Sequence, residues 1–246
     1  MRLLLYNVCY CMGVGDGYKD YVICNKNIAL DPKALNKIAN FIKKQSPHVV
    51  GLVEVDTGSI RSQRIDQAEY IKEKLKFNSI ASFCKYGKKS RISKLPYFRH
   101  LANSILSKSE FTKVTEHDFK TGKKKLVIEV EVDNKLAIYL VHLSLGKKAR
   151  TNQIKELAKI VSKNNKPKIV LGDFNTFKGD DELVNFMKKT NMGLVKHDLE
   201  TFPSWKPNRC LDHILHSESI KINKTSAPKV KFSDHLPIIV DFSVKK

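Results

Sequence analysis

The sequence predicts an α/β protein built on mixed β-sheets, on three observations. Short apolar runs alternate with amphipathic stretches along the whole chain. Several of those runs are apolar on both faces, the pattern of strands covered on both sides. One pair of runs is joined by Asp133-Asn134-Lys135, a hairpin signal that requires antiparallel pairing and so excludes a purely parallel sheet.

Taken in order, Leu3–Val8, Val49–Val53, Leu126–Val132, Leu136–Leu143, Ile169–Leu171, Leu211–Leu215 and Leu236–Phe242 read as strands. Asp31-Pro32 supplies an N-cap and a proline at the first helical position. Leu35, Ile38, Ala39 and Ile42 then recur at helical spacing until Ser46-Pro47 stops the run. A second helix carries Ile65, Ala68, Ile71 and Leu75, and a third Ile154, Leu157, Ala158 and Val161. A fourth begins near Asp180 and carries Leu183, Val184 and Met187. Two connections are long: Cys9 to Leu30, and a basic one from Cys84 to His100 containing Lys85, Lys88, Lys89, Arg91, Lys94 and Arg99. Long loops often carry function. No repeat, Ser/Gly linker or composition break divides the chain, so residues 1–246 read as one domain.

The 45 Lys and Arg against 25 Asp and Glu give a formal net charge of +20. That balance points to an anionic partner: nucleic acid, a phosphorylated metabolite or an acidic membrane surface. A lysine-rich solvating surface accounts for the same number. The proportions, 41% hydrophobic and 28% charged, exclude a wholly disordered chain or a fibre. Cys9, Cys11, Cys24, Cys84 and Cys210 are odd in number and scattered, which argues against a disulfide framework or a zinc cage and for a reducing compartment. The run Leu3–Leu5 is broken by Asn7 and lacks a cleavage site, and no stretch is long enough to span a membrane, so the expected location is cytoplasmic. Nothing implies an obligate protein partner.

Polar residues at the ends of strands carry the chemistry. Asn7 interrupts the first run, Glu54 ends the second, and His142 lies near the end of the hairpin's second strand. Asp173 and Asn175 follow Ile169–Leu171, Asp212 lies within Leu211–Leu215, and Ser233-Asp234-His235 precedes the last strand. Burying a lone carboxylate is costly, so groups in such positions pair with one another or converge on a cleft.

With these residues in place the chain resembles the endonuclease/exonuclease/phosphatase superfamily of metal-dependent phosphoesterases, which includes pancreatic-type deoxyribonucleases, abasic-site endonucleases, neutral sphingomyelinases and inositol-polyphosphate 5-phosphatases. The segments that carry the resemblance are LLLYN at Leu3–Asn7, VVGLVEVD at Val49–Asp56, NSILSK at Asn103–Lys108 and YLVHLS at Tyr139–Ser144, with Arg150 and Gln153 after it. VLGDFN at Val170–Asn175, RCLDHIL at Arg209–Leu215 and SDHLPI at Ser233–Ile238 complete the set. No single motif decides it; their order and spacing do.

The resemblance implies a four-layer α/β/β/α sandwich of two mixed β-sheets flanked by helices, and a Mg²⁺-dependent phosphoesterase with Mn²⁺ as a substitute. It implies that Glu54 is the principal metal ligand, with Asn7 beside it and Asp234 supporting the metal or its waters. Asp173 would orient and deprotonate the attacking water and Asn175 hold it in line. His235 would contact the phosphate with its tautomer fixed by Asp212, and His142 would donate to a phosphoryl oxygen. Asn103, Arg99 and Trp205 are candidate substrate-binding residues. A hard cation with carboxylates for metal and base, and imidazoles for oxyanions, suits the charge demands of phosphodiester hydrolysis.

The chain also departs from the family. Some nuclease members have an acidic residue where Cys9 stands, which weakens the expectation of a second metal. Arg99-His100-Leu101-Ala102 lacks the glycine many relatives have before the equivalent of Asn103. Other patterns have plainer readings. Gly13-Val14-Gly15-Asp16-Gly17 is a turn without the Gly-Lys-Ser/Thr of a phosphate loop. Ser233-Asp234-His235 is not a hydrolase triad, because triad members meet in space rather than in sequence. His213 and His216 fall on opposite faces of a strand. His48, His117 and His197 read as surface or capping residues, and Arg150 and Gln153 as anchors of the third helix.

The substrate stays open among three classes. Nucleic acid is favoured by the +20 charge and by the lysines of 120–125, 163–168 and 221–231. A phosphatase or phospholipase-C-like enzyme on phosphoinositide or other phospho-head groups would use the same lysines at an acidic membrane surface. A non-catalytic basic binding protein on the same scaffold is the third.

Overall fold

A computed structural model describes residues 1–13, 32–195 and 200–245. Its strands are β1 (Arg2–Asn7), β2 (Val49–Asp56), β3 (Ser79–Cys84), β4 (Leu101–Ser107), β5 (Phe111–Asp118), β6 (Leu126–Val132), β7 (Leu136–His142), β8 (Lys168–Asp173), β9 (Met192–Leu194), β10 (Asp212–Ser217), β11 (Ile220–Ser226) and β12 (Ile238–Val244). They form two six-stranded sheets, ordered β11-β12-β1-β2-β4-β3 and β5-β6-β7-β8-β10-β9. Each is mixed: β1 is parallel to β2 and antiparallel to β12, and β7 is parallel to β8 and antiparallel to β6.

Alternation of side chains along a strand distributes the apolar residues into three cores. Leu3, Leu5 and Val53 of the first sheet face Ile128, Leu140 and Leu171 of the second. Leu4, Tyr6 and Val50 point the other way, onto Leu35, Ile38 and Ile42 of α1 (Pro32–Gln45) and Ala68 and Ile71 of α2 (Gln67–Leu75). Tyr139, Val141 and Val170 turn outward onto Leu157, Ala158 and Val161 of α3 (Lys147–Val161) and Phe186 of α4 (Val184–Thr190). The result is a four-layer α/β/β/α sandwich. Each fully buried Leu, Ile or Val stabilises it by roughly 1.5–3 kcal/mol.

Helix ends follow local chemistry. The second helix begins at Gln67 rather than around Ile65, because the Asp66 carboxylate accepts the Ala68 and Glu69 amides at 3.0 Å each. The fourth is a 3₁₀ turn over Asp180–Leu183 that continues as α4. The strands without a sequence expectation are β3, β4, β5, β9 and β11. Four of these are the edges of the two sheets: in β5 and β11 polar residues face solvent and break the apolar signature, and β9 is three residues long. The Asp31 cap, Cys24, His197 and most of the Cys9–Leu30 connection, with Val14–Gly17, lie outside the described residues. Among the described residues, no helix is long and apolar enough to cross a membrane.

The centre of the sandwich is tight beside the strand ends that matter most. A Cβ at Gly172, where φ is +151°, would lie 1.9 Å from the Val141 carbonyl oxygen of the neighbouring strand. Gly172→Ala should therefore lower stability by about 2–4 kcal/mol, read as a lower midpoint in urea unfolding; an unchanged midpoint would contradict this packing.

Candidate active site

Strand register assembles the site. Parallel pairing of β7 with β8 sets His142 opposite Asp173, and antiparallel pairing of β8 with β10 sets Asp173 opposite Asp212. Three adjacent strands of the second sheet thus present His142, Asp173 and Asp212 in one row. The first sheet contributes Asn7, the last residue of β1, and Glu54 of β2. The β2–β4 register slips between Leu52 and Val55, and Glu54 sits in this irregularity with φ +58°. Such bulges re-aim a side chain. The left-handed conformation costs a non-glycine residue about 1–2 kcal/mol, and Asn103 offsets part of it by accepting the Glu54 amide on Oδ1 at 3.1 Å.

The two sheets meet at Asp173 Oδ2. Asn7 Nδ2 donates to it at 3.2 Å, His142 Nε2 lies 3.3 Å away and His235 Nε2 4.0 Å away. The other oxygen, Oδ1, accepts the Asn175 amide at 3.0 Å, while Asn175 Nδ2 donates to Leu143 O at 2.9 Å. His235 Nδ1 is 2.7 Å from Asp212 Oδ2, which also accepts the Thr201 hydroxyl at 2.6 Å. Ser233 Oγ donates to Asn7 O at 2.6 Å and lies 3.2 Å from Asp234 Oδ1. Glu54 Oε1 is 3.8 Å from His142 Nδ1.

Three residues at this cluster had no place in the sequence reading of the site. Tyr10 donates its hydroxyl to Glu54 Oε1 at 3.3 Å. Lys85 places Nζ 3.0 Å from the same oxygen and also against the Tyr10 hydroxyl. Lys124 Nζ contacts His142 Nε2. The lysines had been counted with the basic loops. The signal available was position, since each immediately flanks a strand, Lys85 after β3 and Lys124 two residues before β6. Backbone bonds hold them together: Lys85 N donates to Leu101 O at 2.9 Å and Lys125 N to Lys85 O at 2.9 Å.

Of the candidate substrate residues, Asn103 is fully buried and touches the Glu54 backbone, which makes it a positioning residue. Arg99 lies in an exposed turn with Nε on His100 Nε2 at 3.0 Å. Trp205 is half-buried and lines a cavity of about 390 Å³ with Lys229, Lys231 and Leu236, the last adjacent in sequence to His235. Arg150 pairs with Glu182 through both Nε and Nη2 (2.8 and 3.0 Å), and Gln153 Nε2 donates to Thr121 O and Lys124 O (2.9 and 2.6 Å). Gln153 thus anchors the loop that carries Lys124 as well as its own helix. His213 bonds Thr176 Oγ1 at 2.7 Å, His117 pairs with Glu129 at 2.7 Å, and His48 accepts the Arg2 amide at 3.0 Å.

Charge compensation sets the protonation states. Burial raises the Glu54 carboxyl, but Lys85, His142 and Lys124 outweigh it and hold the group well below the usual carboxylate range. Asp173 is likewise raised by burial and pulled far lower by His142 and His235. Burial and the neighbouring Lys124 pull His142 down to about 4, so its ring is neutral, and acceptance from Lys124 at Nε2 leaves the proton on Nδ1. Among the described residues that Nδ1 is buried without a hydrogen-bond partner. For His235 burial acts downward, yet Asp212 and Asp234 push it up to about 10. Asp234 is raised, first by burial and further by the Glu54 and Asp173 anions.

Among the described residues no group of three or more His, Cys, Asp or Glu side chains forms a ready-made metal cage. A Mg²⁺ ion needs no such cage, since it takes one or two carboxylates and keeps several waters. The crowding of Asp234 by Glu54 and Asp173 is the mark of a site short of positive charge. The oxygen donors of Glu54, Asn7 and Asp234 therefore fit a hard divalent cation.

A four-layer sandwich with carboxylates and imidazoles from both sheets gathered at one end defines a phosphoesterase-type architecture. The description "Endonuclease/Exonuclease/phosphatase family" belongs to the family model that matches residues 4–235, and the chain is a member of that family of hydrolytic phosphoesterases. No curated protein matches it. Among solved structures, an endonuclease/exonuclease/phosphatase from Beutenbergia cavernae DSM 12333 superposes with a TM-score of 0.73 at 17% identity, covering 100% of this chain and 72% of that one. The Bacteroides thetaiotaomicron mannosyl-6-phosphatase Bt3783 gives 0.70 at 13% identity, covering 99% of both chains. The human Nocturnin catalytic domain with bound sulfate gives 0.69 at 17%, covering 100% of this chain and 94% of that one. At such identities these structures establish the fold alone.

The His235–Asp212 pair has a definite pH signature. Because the folded-state value is raised to about 10, the pair contributes stability that is fully present below the unfolded value near 6.5 and lost as pH rises through 10. In metal-free protein the His235 ring signals should stay fixed from about pH 6 to 8 by NMR, and Asp212→Asn should bring their titration into that window. A wild-type His235 titrating near 6.5 would contradict the pairing.

Proposed function

We propose that this chain is a Mg²⁺-dependent phosphoester hydrolase that cleaves phosphodiester bonds in nucleic acid, with Mn²⁺ able to substitute. The observation that carries the reaction class is the convergence of Asn7, His142 and His235, from both sheets, on the single oxygen Asp173 Oδ2. Glu54, with Asn7 and Asp234, would hold the cation, which neutralises phosphoryl charge when bound.

The remaining steps fall to the chain's own groups. Asp173 is ionised and oriented by Asn7 and Asn175, so it can take the proton of the attacking water. His235, kept cationic by Asp212, supplies fixed positive charge for a phosphoryl oxygen. Neutral His142 offers its unpartnered Nδ1–H as a donor to the same group. The +20 charge supports nucleic acid, whose backbone would make binding fall steeply with salt.

A second reading, a phosphomonoesterase on phospho-head groups that works at an acidic membrane surface, draws support from the phosphatase among the fold neighbours and from Trp205 beside Lys229 and Lys231. Plasmid DNA, single-stranded RNA, bis-para-nitrophenyl phosphate and phosphoinositides, each with Mg²⁺ or with EDTA, separate the two. Cleavage of nucleic-acid chains that EDTA abolishes is the expected result. Phosphate release from head groups alone would move the assignment to the second reading. Asp173→Asn and His235→Ala should each lower turnover at least about a hundredfold with unchanged far-ultraviolet circular dichroism; retained turnover removes that residue from the mechanism.

A further inference from the structure

We propose that Lys85 is an exchangeable cation: it neutralises Glu54 when the metal is absent and moves to the substrate phosphate when the metal takes Glu54. This rests on the metal-dependent reading above and deepens it by naming a residue that links metal to phosphate.

The Lys85 side chain is 7% exposed and that of Glu54 18% exposed, so their 3.0 Å ion pair is largely shielded from solvent. A buried ammonium must be matched by an anion or by acceptors. Besides Glu54 Oε1, the Lys85 ammonium has the Tyr10 hydroxyl and, 4.8 and 5.6 Å away, the ring faces of Tyr10 and Tyr86. Tyr10 is braced on its ring by the Arg61 guanidinium at 4.1 Å. The aromatic surroundings favour a cation without fixing it to one point, and the lysine stem is flexible.

Glu54 is also the carboxylate that would hold the divalent ion. With a divalent cation held there, Glu54 would no longer serve as the anion for Lys85, whose ammonium would be repelled from that position. The new anion available nearby is then the phosphate. Lys124 has a different attachment. Its Nζ lies on His142 Nε2, and its charge acts on Glu54 from a distance, whereas the ion pair at that carboxylate is made by Lys85. The Lys125 N to Lys85 O bond places the two lysines side by side, so Lys124 supplies the same charge in the same site without making the ion pair to the metal ligand.

The exchange predicts effects of opposite sign in one variant. By calorimetry or Mn²⁺ electron paramagnetic resonance, Lys85→Met should bind Mn²⁺ alone at least about fivefold more tightly than wild type. In saturating Mn²⁺ the same variant should bind inorganic phosphate at least about tenfold more weakly, the loss of a charge-assisted hydrogen bond. A damaged fold would weaken both, and Lys85→Gln, which keeps a polar end of similar reach, should show the same split. Lys124→Met, which removes a charge that acts on Glu54 but no ion pair with it, should tighten Mn²⁺ alone by less than half as much as Lys85→Met does. Equal tightening in Lys124→Met, or a Lys85 variant whose two affinities move together or stay unchanged, overturns the exchange while leaving the metal-dependent reading intact. A wild-type protein that binds neither Mn²⁺ nor phosphate overturns both.

Discussion

Four carboxylates, Glu54, Asp173, Asp212 and Asp234, are held at one end of the sandwich with little access to water, and the rest of the site exists because they must be compensated. Each has a distinct partner. Asp212 has His235, Asp173 has the Asn7 amide, and Glu54 has Lys85 and Tyr10. Asp234 has the Ser233 hydroxyl, the Cys9 thiol and its sequence neighbour His235, against the nearby Glu54 and Asp173 anions. The deficit falls next to Glu54. A site that is nearly neutral but short of cation there is suited to accept a divalent ion together with an anionic ester.

The fold makes this arrangement possible by separating support from chemistry. The core between the sheets is apolar from Leu3 to Phe242, so the polar residues are confined to strand ends, where register decides what meets what. A one-residue slip between β7 and β8 would part His142 from Asp173 and turn its side chain to the opposite face. Two residues of the site also carry backbone strain. Glu54 and Asn175 both have left-handed φ, at +58° and +52°, and each is tied by a side-chain or backbone bond to a neighbouring strand or turn.

How much of this the sequence disclosed depended on periodicity. The central strands and the cores of the helices are unbroken apolar patterns, and Leu35, Ile38, Ala39 and Ile42 all lie buried under α1 as their spacing requires. The edge strands β3, β5 and β11 carry mixed polar sequences that period alone does not separate from loops, and β9 is only three residues long. In the site, residues such as Asn7, Glu54 and Asp173 were visible because each is a polar interruption in an apolar run. Lys85 and Lys124 were not, because lysine is so abundant in this chain that one more in a basic loop carries no signal. Long-range backbone bonds, among them the Lys125 amide to the Lys85 carbonyl across 40 residues of sequence, bring the two segments together at the site. Arg99 was the reverse case, a basic residue in the same loop that the structure leaves in an exposed turn.

The most direct test of the account is a crystal structure of the protein soaked with Mn²⁺ and a non-hydrolysable phosphodiester. Anomalous density on the Glu54 carboxylate, with the phosphoryl group between Asp173 and His235, is the outcome that the compensation argument requires. Manganese bound away from Glu54, or the diester seated on a different face of the molecule, would contradict it.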